Sequence, residues 1–298
     1  KEHRNCRLCG SKHIEFVLDI GNQYVNNFVK EGDWEGIFCP LQIYHCKNCD
    51  LYQLKHTAPQ ELLYKGTYWY KSGVTDFMVS HLRDLAKEIS SNIESRKNKR
   101  VLDIGANDGT LLKHIDKDIY RVGVEPATNL QKDLINNCDL AVKELWTRSL
   151  AKELILKTDK FDVITAIGMF YDLDDPIDFL TGVWEALKDD GIFVAQLMCM
   201  DNMLKTNDLG NICHEHIEFY SLKSLEYLFR SSKLCINKIE TNNVNGQSYR
   251  IYASKKTSKE FELPSEISNQ INNEKIDIKS FKENIDYSKN KVTKFIKS

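Results

Sequence analysis

Val101-Leu102-Asp103-Ile104-Gly105-Ala106-Asn107-Asp108-Gly109-Thr110 reads as a buried strand, a glycine-bearing turn and the start of a helix. Such a turn lets backbone amides approach a ligand at a helix N-terminus, where partial positive charge collects. A dinucleotide site of this kind needs Gly-x-Gly-x-x-Gly, so that the backbone packs against pyrophosphate. Here Asn107 replaces the middle glycine and Asp108 follows it. A carboxylate there opposes a pyrophosphate and suits a cationic amino-acid end, and Asp103 adds a second acid at the strand's tip. S-adenosylmethionine (SAM) carries a sulfonium and an α-amino group and no phosphate, so the turn fits SAM better than NAD.

Outward from the turn, Glu125 ends the next apolar run, where an acid can accept both ribose hydroxyls. That feature is shared with NAD sites and decides nothing alone. On the same architecture Glu144 and Trp146 flank the adenine, and Gly168, after the fourth strand, borders the methyl-transfer site. The apolar runs 101–104, 121–124, 161–166 and 191–195 alternate with amphipathic stretches such as 111–115 and 179–187. This rhythm predicts a mostly parallel sheet with helices on both faces. Residues 238–241 and 249–253 read as a closing antiparallel hairpin. The expected fold is therefore α/β: a Rossmann-like class I methyltransferase domain over 98–255. It is preceded by a small zinc-binding domain (1–58) and a helical connector (59–97) whose stripe is Phe77, Leu82, Leu85 and Ile89. A helical tail (256–298) follows, with Ile278, Phe281, Ile285, Val292 and Phe295 near heptad spacing. That stripe calls for a cover: the main domain, a second subunit, or further sequence.

Cys6-x-x-Cys9 and Cys46-x-x-Cys49 are two knuckles that together offer tetrahedral tetrathiolate coordination. Four protein ligands leave no open position, so the expected Zn²⁺ is structural, which suits a unit whose core is small for its surface. Cys39 has no partner at knuckle spacing and reads as a buried hydrophobe. The remaining cysteines are scattered, which points to a reducing, cytoplasmic setting.

Cys213-His214-Glu215-His216 falls in a polar stretch beginning near Asn202, beyond the fifth strand. Ionisable groups in succession on a loop at the sheet's C-terminal edge suit acid–base chemistry. In an extended segment His214 and His216 share one face and Glu215 points away. His-x-His without a third ligand argues against a metal there.

Composition narrows the partners. The chain has 298 residues, a net charge of −2 and 28% charged residues, so nothing in bulk draws it to nucleic acid or an anionic membrane. The one compact basic run, 96–100, reads as a solvated linker. The longest apolar stretches fall short of a membrane span, and no signal-peptide pattern opens the chain.

Taken together, the sequence resembles the zinc-containing SAM-dependent sugar C-methyltransferases, which act on nucleotide-linked keto-deoxysugars. The likeness runs from the knuckles to about Ala253. It is carried by Cys49-Asp50-Leu51-Tyr52-Gln53-Leu54, by Tyr68-Trp69-Tyr70-Lys71-Ser72-Gly73, by 213–222, and by Gly246-Gln247-Ser248-Tyr249-Arg250-Ile251-Tyr252. The resemblance implies that His216 removes the proton α to the keto group, with Glu215, His214 and Cys213 tuning or positioning it. It also implies that Tyr68, Tyr70, Asp172 and Arg250 meet the sugar. The sequence departs from the family where Cys213 stands for the usual tyrosine and Asp172 for a frequent histidine. A further C-terminal Rossmann-like domain is typical of the family, and the sequence ends where it would begin. Three other activities compete with C-methylation: O- or N-methylation of a sugar or other small acceptor, a non-catalytic SAM-binding module, and, more distantly, an NAD oxidoreductase. The sequence does not specify an oligomeric state.

Overall fold

The computed structural model describes residues 1–25, 36–256 and 263–297. The N-terminal part is a small antiparallel sheet of β1 (Ile14–Tyr24), β2 (Phe38–Cys46) and β3 (Tyr52–Leu54). Its apolar face is thin: Val17, Leu41, Ile43 and Leu54 are buried, whereas much of β1 is exposed. The short helix α1 (Gln60–Tyr64) then leads through an irregular strap, residues 65–75, to α2 (Asp76–Asn92). The Thr75 side chain caps α2 by accepting from the Met78 amide. Leu82, Leu85, Ala86 and Ile89 form the buried stripe of α2, but Phe77 is 62% exposed. The stripe starts at Met78, which packs against the core, because residues four and seven further on, not five, share its face.

The chain then alternates: β4 (Arg100–Ile104), α3 (Thr110–His114), β5 (Tyr120–Val124), α4 (Gln131–Asn137), β6 (Leu140–Val142), α5 (Arg148–Thr158), β7 (Phe161–Ile167), α6 (Pro176–Ala186) and β8 (Leu187–Met198). Strands β4 to β8 are parallel where they pair. Chain order runs outward from β4 through β5 to β6, then resumes on the other side with β7 and β8. The reversal between β4 and β7 opens a crevice at their C-terminal ends. The near-continuous burial of β4 and β7 follows from helices covering both faces.

Beyond β8 the polar stretch expected from Asn202 is first a helix, α7 (Met200–Thr206). Met200, Met203 and Leu204 bury its inner face, so the loop begins only at Asn207, in left-handed conformation (φ 53°). The two-residue strand β9 (Glu218–Phe219) leaves the main sheet and pairs antiparallel with β3, becoming the fourth strand of the zinc-domain sheet. After α8 (Leu222–Ser231), β10 (Leu234–Asn242) and β11 (Ser248–Lys255) form the expected hairpin, with β11 antiparallel to β8.

The tail forms α9 (Ser265–Asn273) and α10 (Ile278–Lys297). Ile278 and Phe281 pack beside Val17 and Leu18 of β1 and Met203 of α7, while Val292 is 55% and Phe295 80% exposed. Only the first half of the apolar stripe is therefore covered, and its cover is this chain's own zinc sheet and α7. The basic run 96–100 is matched by acids: Arg96 with Asp162 (3.1 Å) and Asp190 (3.1 Å), Lys99 with Asp118 (2.6 Å), Arg100 with Asp159 (3.1 Å). Among the described residues no helix is long and apolar enough to cross a membrane.

Candidate functional site: a two-chambered cleft beside a four-cysteine cluster

Two cavities open at the crevice between β4 and β7. The first, about 110 Å³, includes Gly105, Asn107, Glu125, Glu144, Trp146 and Asp172 in its wall. The second, about 410 Å³, includes Asp103, Tyr171, Gln196, Asp208, Glu215 and His216. Tyr68, Tyr70, Ser72, Gly105, Ile167 and Gly168 border both, so the two are chambers of one cleft.

Backbone geometry shapes the floor. Gly105 sits at φ 70°, and a Cβ there would lie 2.7 Å from Met169 Cγ, so the turn tolerates no side chain. Asn107, the non-glycine of the turn, also takes a left-handed conformation (φ 52°). Glu125 is oriented by two backbone donors, the Asn107 amide (2.9 Å) and the Ala127 amide (2.8 Å), one to each oxygen. Its remaining lone pairs are available to a pair of hydroxyls. Burial raises the Glu125 carboxyl above its ordinary range, an effect those two amides oppose. Asp103 is wholly buried and accepts from Thr165 Oγ1 at 2.6 Å. Burial lifts its carboxyl to about 7, the Thr165 hydrogen bond pulls it down, and the Glu125 charge adds to the rise. Such a carboxyl is poised to ionise beside a cation. Trp146 is pinned by its indole N–H to the Phe179 carbonyl (3.2 Å) and lines the first chamber with Glu144 and Phe179.

Asp108 and Gly109 are placed differently. Neither lines the cleft. Asp108 Oδ2 accepts the Gly73 amide (2.9 Å), and Oδ1 accepts the Thr110 amide (3.1 Å) and hydroxyl (2.5 Å). Asn107 completes the fastening: its Oδ1 accepts the Ser72 amide (2.9 Å) and its Nδ2 donates to the Tyr70 carbonyl (3.1 Å). The second acid of the turn thus bolts the strap across the cleft rather than facing a ligand. The strap's other end is tied by reciprocal bonds between Tyr68 and Asn129. Gly109, at φ 76°, abuts Asn137 and Leu134 and lets α3 start.

The 213–216 segment is bent rather than extended, and its residues separate accordingly. His214 is buried and points toward the zinc domain, its Nε2 3.3 Å from the Gln23 carbonyl. Cys213 lies off the chamber wall and is partly buried, and desolvation pushes its thiol up to about 11. Glu215 and His216, not the two histidines, share the second chamber. His216 Nδ1 donates to the Asn211 carbonyl (2.9 Å). A carbonyl can only accept, so Nε2 keeps its lone pair. Burial holds the imidazole below its ordinary pKa, hence neutral near pH 7, and Tyr171 packs edge-on against it (4.5 Å between centroids). The Tyr171 carbonyl accepts the Ile217 and Glu218 amides (3.0 and 3.1 Å), fixing this segment to the loop after β7.

Asp172, next along that loop, is 8% exposed, and its Oδ1 finds no hydrogen-bond partner among the described residues. Burial, with Glu215 and Glu218 nearby, pushes its carboxyl well above the usual range, and Tyr64 only partly offsets this. Arg250 stands behind the wall, not in it: its Nε and Nη2 each lie 3.2 Å from Gln196 Oε1. Gln196, on β8, is a residue that pattern reading passed over. A polar amide directly after the apolar run 191–195 was the available signal.

The knuckle cysteines converge from the ends of the first sheet. Sγ–Sγ separations are 3.5 Å for Cys6–Cys49 and for Cys9–Cys46, and all four sulfurs lie within 4.8 Å of one another. A tetrahedral Zn²⁺ with bonds of about 2.3 Å needs sulfurs roughly 3.8 Å apart, so the cluster fits the ion. Each knuckle closes alike. The Gly10 amide donates to the Cys6 carbonyl and the Asp50 amide to that of Cys46, both at 2.9 Å, with Gly10 and Asp50 left-handed. Cys39 stands apart from the cluster and is only partly buried, correcting its reading as a core residue.

A methyltransferase-domain family model matches residues 77–234, and a zinc-binding-domain model matches residues 6–64. The chain belongs to the methyltransferase-domain family, its Rossmann-like sheet carrying that domain and the four-cysteine unit preceding it. It is 27% identical over 253 residues to C-methyltransferase NovU of Streptomyces niveus, covering 84% of this chain and 60% of that protein. The chain thus spans about three fifths of that relative's length. A tRNA U34 carboxymethyltransferase of Sulfurimonas denitrificans is 31% identical over 102 residues, 32% of this chain and 33% of that one. Similar solved structures include SAM-dependent methyltransferases from Leishmania major and Clostridium acetobutylicum. The first is 16% identical with a TM-score of 0.45, covering 61% of this chain and 78% of that one. The second is 12% identical with a TM-score of 0.46, covering 61% and 93%.

Proposed function

We propose that this chain methylates carbon: it transfers the SAM methyl to the position α to the keto group of a nucleotide-linked deoxysugar, with His216 as base. The observation that carries the reading is the tautomer of His216, whose Nδ1–H is committed to the Asn211 carbonyl while the ring borders the second chamber. An unprotonated Nε2 can take the α-proton; the C–H pair becomes the enolate double bond and the carbonyl pair moves to oxygen. When bound, SAM supplies the methyl on its sulfonium, which the enolate carbon takes as sulfur departs with the bonding pair. In this reading Asp103, Gly105, Asn107, Glu125, Glu144, Trp146 and Gly168 hold the cofactor. Tyr68, Tyr70 and Asp172 hold the sugar, and Glu215 tunes the base. Asp108 and Gly109 serve by shaping the turn, and Cys213 and His214 by fixing the segment.

No Lys or Arg lines either chamber among the described residues. In this reading the sugar enters the chamber and the diphosphate stays outside it. A reducing, cytoplasmic setting suits a zinc tetrathiolate and five further cysteines outside disulfides. The direct test is solvent deuterium exchange at the α-carbon of a keto-deoxysugar nucleotide, with S-adenosylhomocysteine present to block transfer. Exchange in the native protein and its loss in His216→Asn support the reading. Methylation at oxygen or nitrogen without exchange would replace it.

A further inference from the structure

Gln196 is 2% exposed, yet it reaches the wall of the second chamber. Three donors converge on its Oε1, Arg250 Nε and Nη2 at 3.2 Å each and Asn242 Nδ2 at 3.2 Å, while His81 Nε2 accepts from Arg250 Nη2 at 3.1 Å. A guanidinium only donates, so the atom facing it is the amide oxygen and the amide's orientation is fixed. The Nε2 hydrogens make no hydrogen bond to any described residue and are left for the cavity. Donors drawing on the oxygen, one of them cationic, make the opposite N–H groups stronger donors.

The surroundings sharpen the point. The cleft wall carries Asp103, Glu125, Glu144, Asp172, Asp208 and Glu215, and no Lys or Arg. SAM brings one anionic group, its α-carboxylate, into this acidic setting. The second chamber runs from Asp103 and Gly105, which suit the amino-acid end, to Gln196. The Arg250 guanidinium behind Gln196 is 12% exposed, and its Nη1 is 3.6 Å from the half-exposed Glu88 carboxylate on the far side.

We propose that the Gln196 side-chain amide, backed by Arg250 as a positioning residue, holds the α-carboxylate of SAM. The inference depends on SAM binding alone and not on the acceptor. Its test is calorimetric titration with SAM and with decarboxylated SAM, which differ only in that carboxylate. The native protein should favour SAM by at least about tenfold. Gln196→Glu keeps an acceptor for Arg250 and Asn242 but turns the donor into a second acceptor. It should weaken SAM by roughly 100-fold and leave the decarboxylated nucleoside unchanged or tighter. Arg250→Lys, which keeps a cation but loses the contacts to Oε1, should cut the preference about fivefold. Equal losses for both nucleosides, or a native protein without preference, would overturn the proposal. Failure of the native protein to bind either nucleoside would overturn the cofactor assignment as well.

Discussion

Replacing Asp108 separates two roles for the turn's second acid, and the structure sets the size of the effect. Asp108→Ala removes the acceptor of three hydrogen bonds, two of them to neighbouring Thr110 and one, from Gly73, that fastens the strap. The Thr110 bonds are local and partly replaceable by water. The Gly73 bond spans 35 residues and, as a bond to a carboxylate, contributes about 1.5–3 kcal/mol. If the cleft binds SAM only with the strap closed, losing that amount weakens binding about 10- to 100-fold, since 1.4 kcal/mol is a factor of ten. Asp108→Asn retains an oxygen for Gly73 and should hold the loss to several-fold. Calorimetry with SAM gives the affinities, and amide hydrogen exchange over residues 66–75 reports the strap. The expected pattern is parallel loss of Gly73 protection and affinity in Asp108→Ala, with both largely kept in Asp108→Asn. If Asn proves as damaging as Ala while Gly73 stays protected, the carboxylate's charge acts on the ligand itself and the bolt is wrong.

Two further outcomes follow from the same geometry. Asp103, raised to about 7 by burial, must ionise to face a cationic cofactor. SAM affinity should therefore be level above that pH and fall about tenfold per unit below it. Asp103→Asn should bind weakly with no such slope, and an unchanged slope in that variant would assign the titration elsewhere. Zinc removal by a chelator should release the first sheet and with it β9, which begins two residues after His216. Exchange over 213–219 should rise sharply while SAM affinity changes only a few-fold, because the cofactor turn belongs to the other sheet; a parallel collapse of SAM binding would contradict this.

The cofactor turn and the cysteine knuckles were legible because each is local: their spacing alone brings the chemical groups to one point. The alternation of strands was legible because burial on both faces leaves continuous apolar runs. What pattern reading could not give was contact between distant segments. Nothing in Glu218-Phe219 announces a strand, since two residues carry no period and the partner edge lies at 52–53. The same holds for Asp108, whose type suggested a ligand but whose partner is an amide 35 residues earlier. His214 and His216 share one face only in extended backbone, which the bend at 213–215 removes. The resemblance points Arg250 at the sugar, but pairing with β8 sets it beside Gln196 rather than in the cleft wall.

The proposed reaction makes a new carbon–carbon bond with His216 as base. Incubating the protein with a keto-deoxysugar nucleotide and SAM labelled with ¹³C in its methyl, then recording the product's carbon spectrum, reads this directly. The label should appear in the aliphatic C-methyl region, coupled to a neighbouring carbon, and should vanish with His216→Asn. A label in the methoxy or N-methyl region, or one undiminished in that variant, would contradict it.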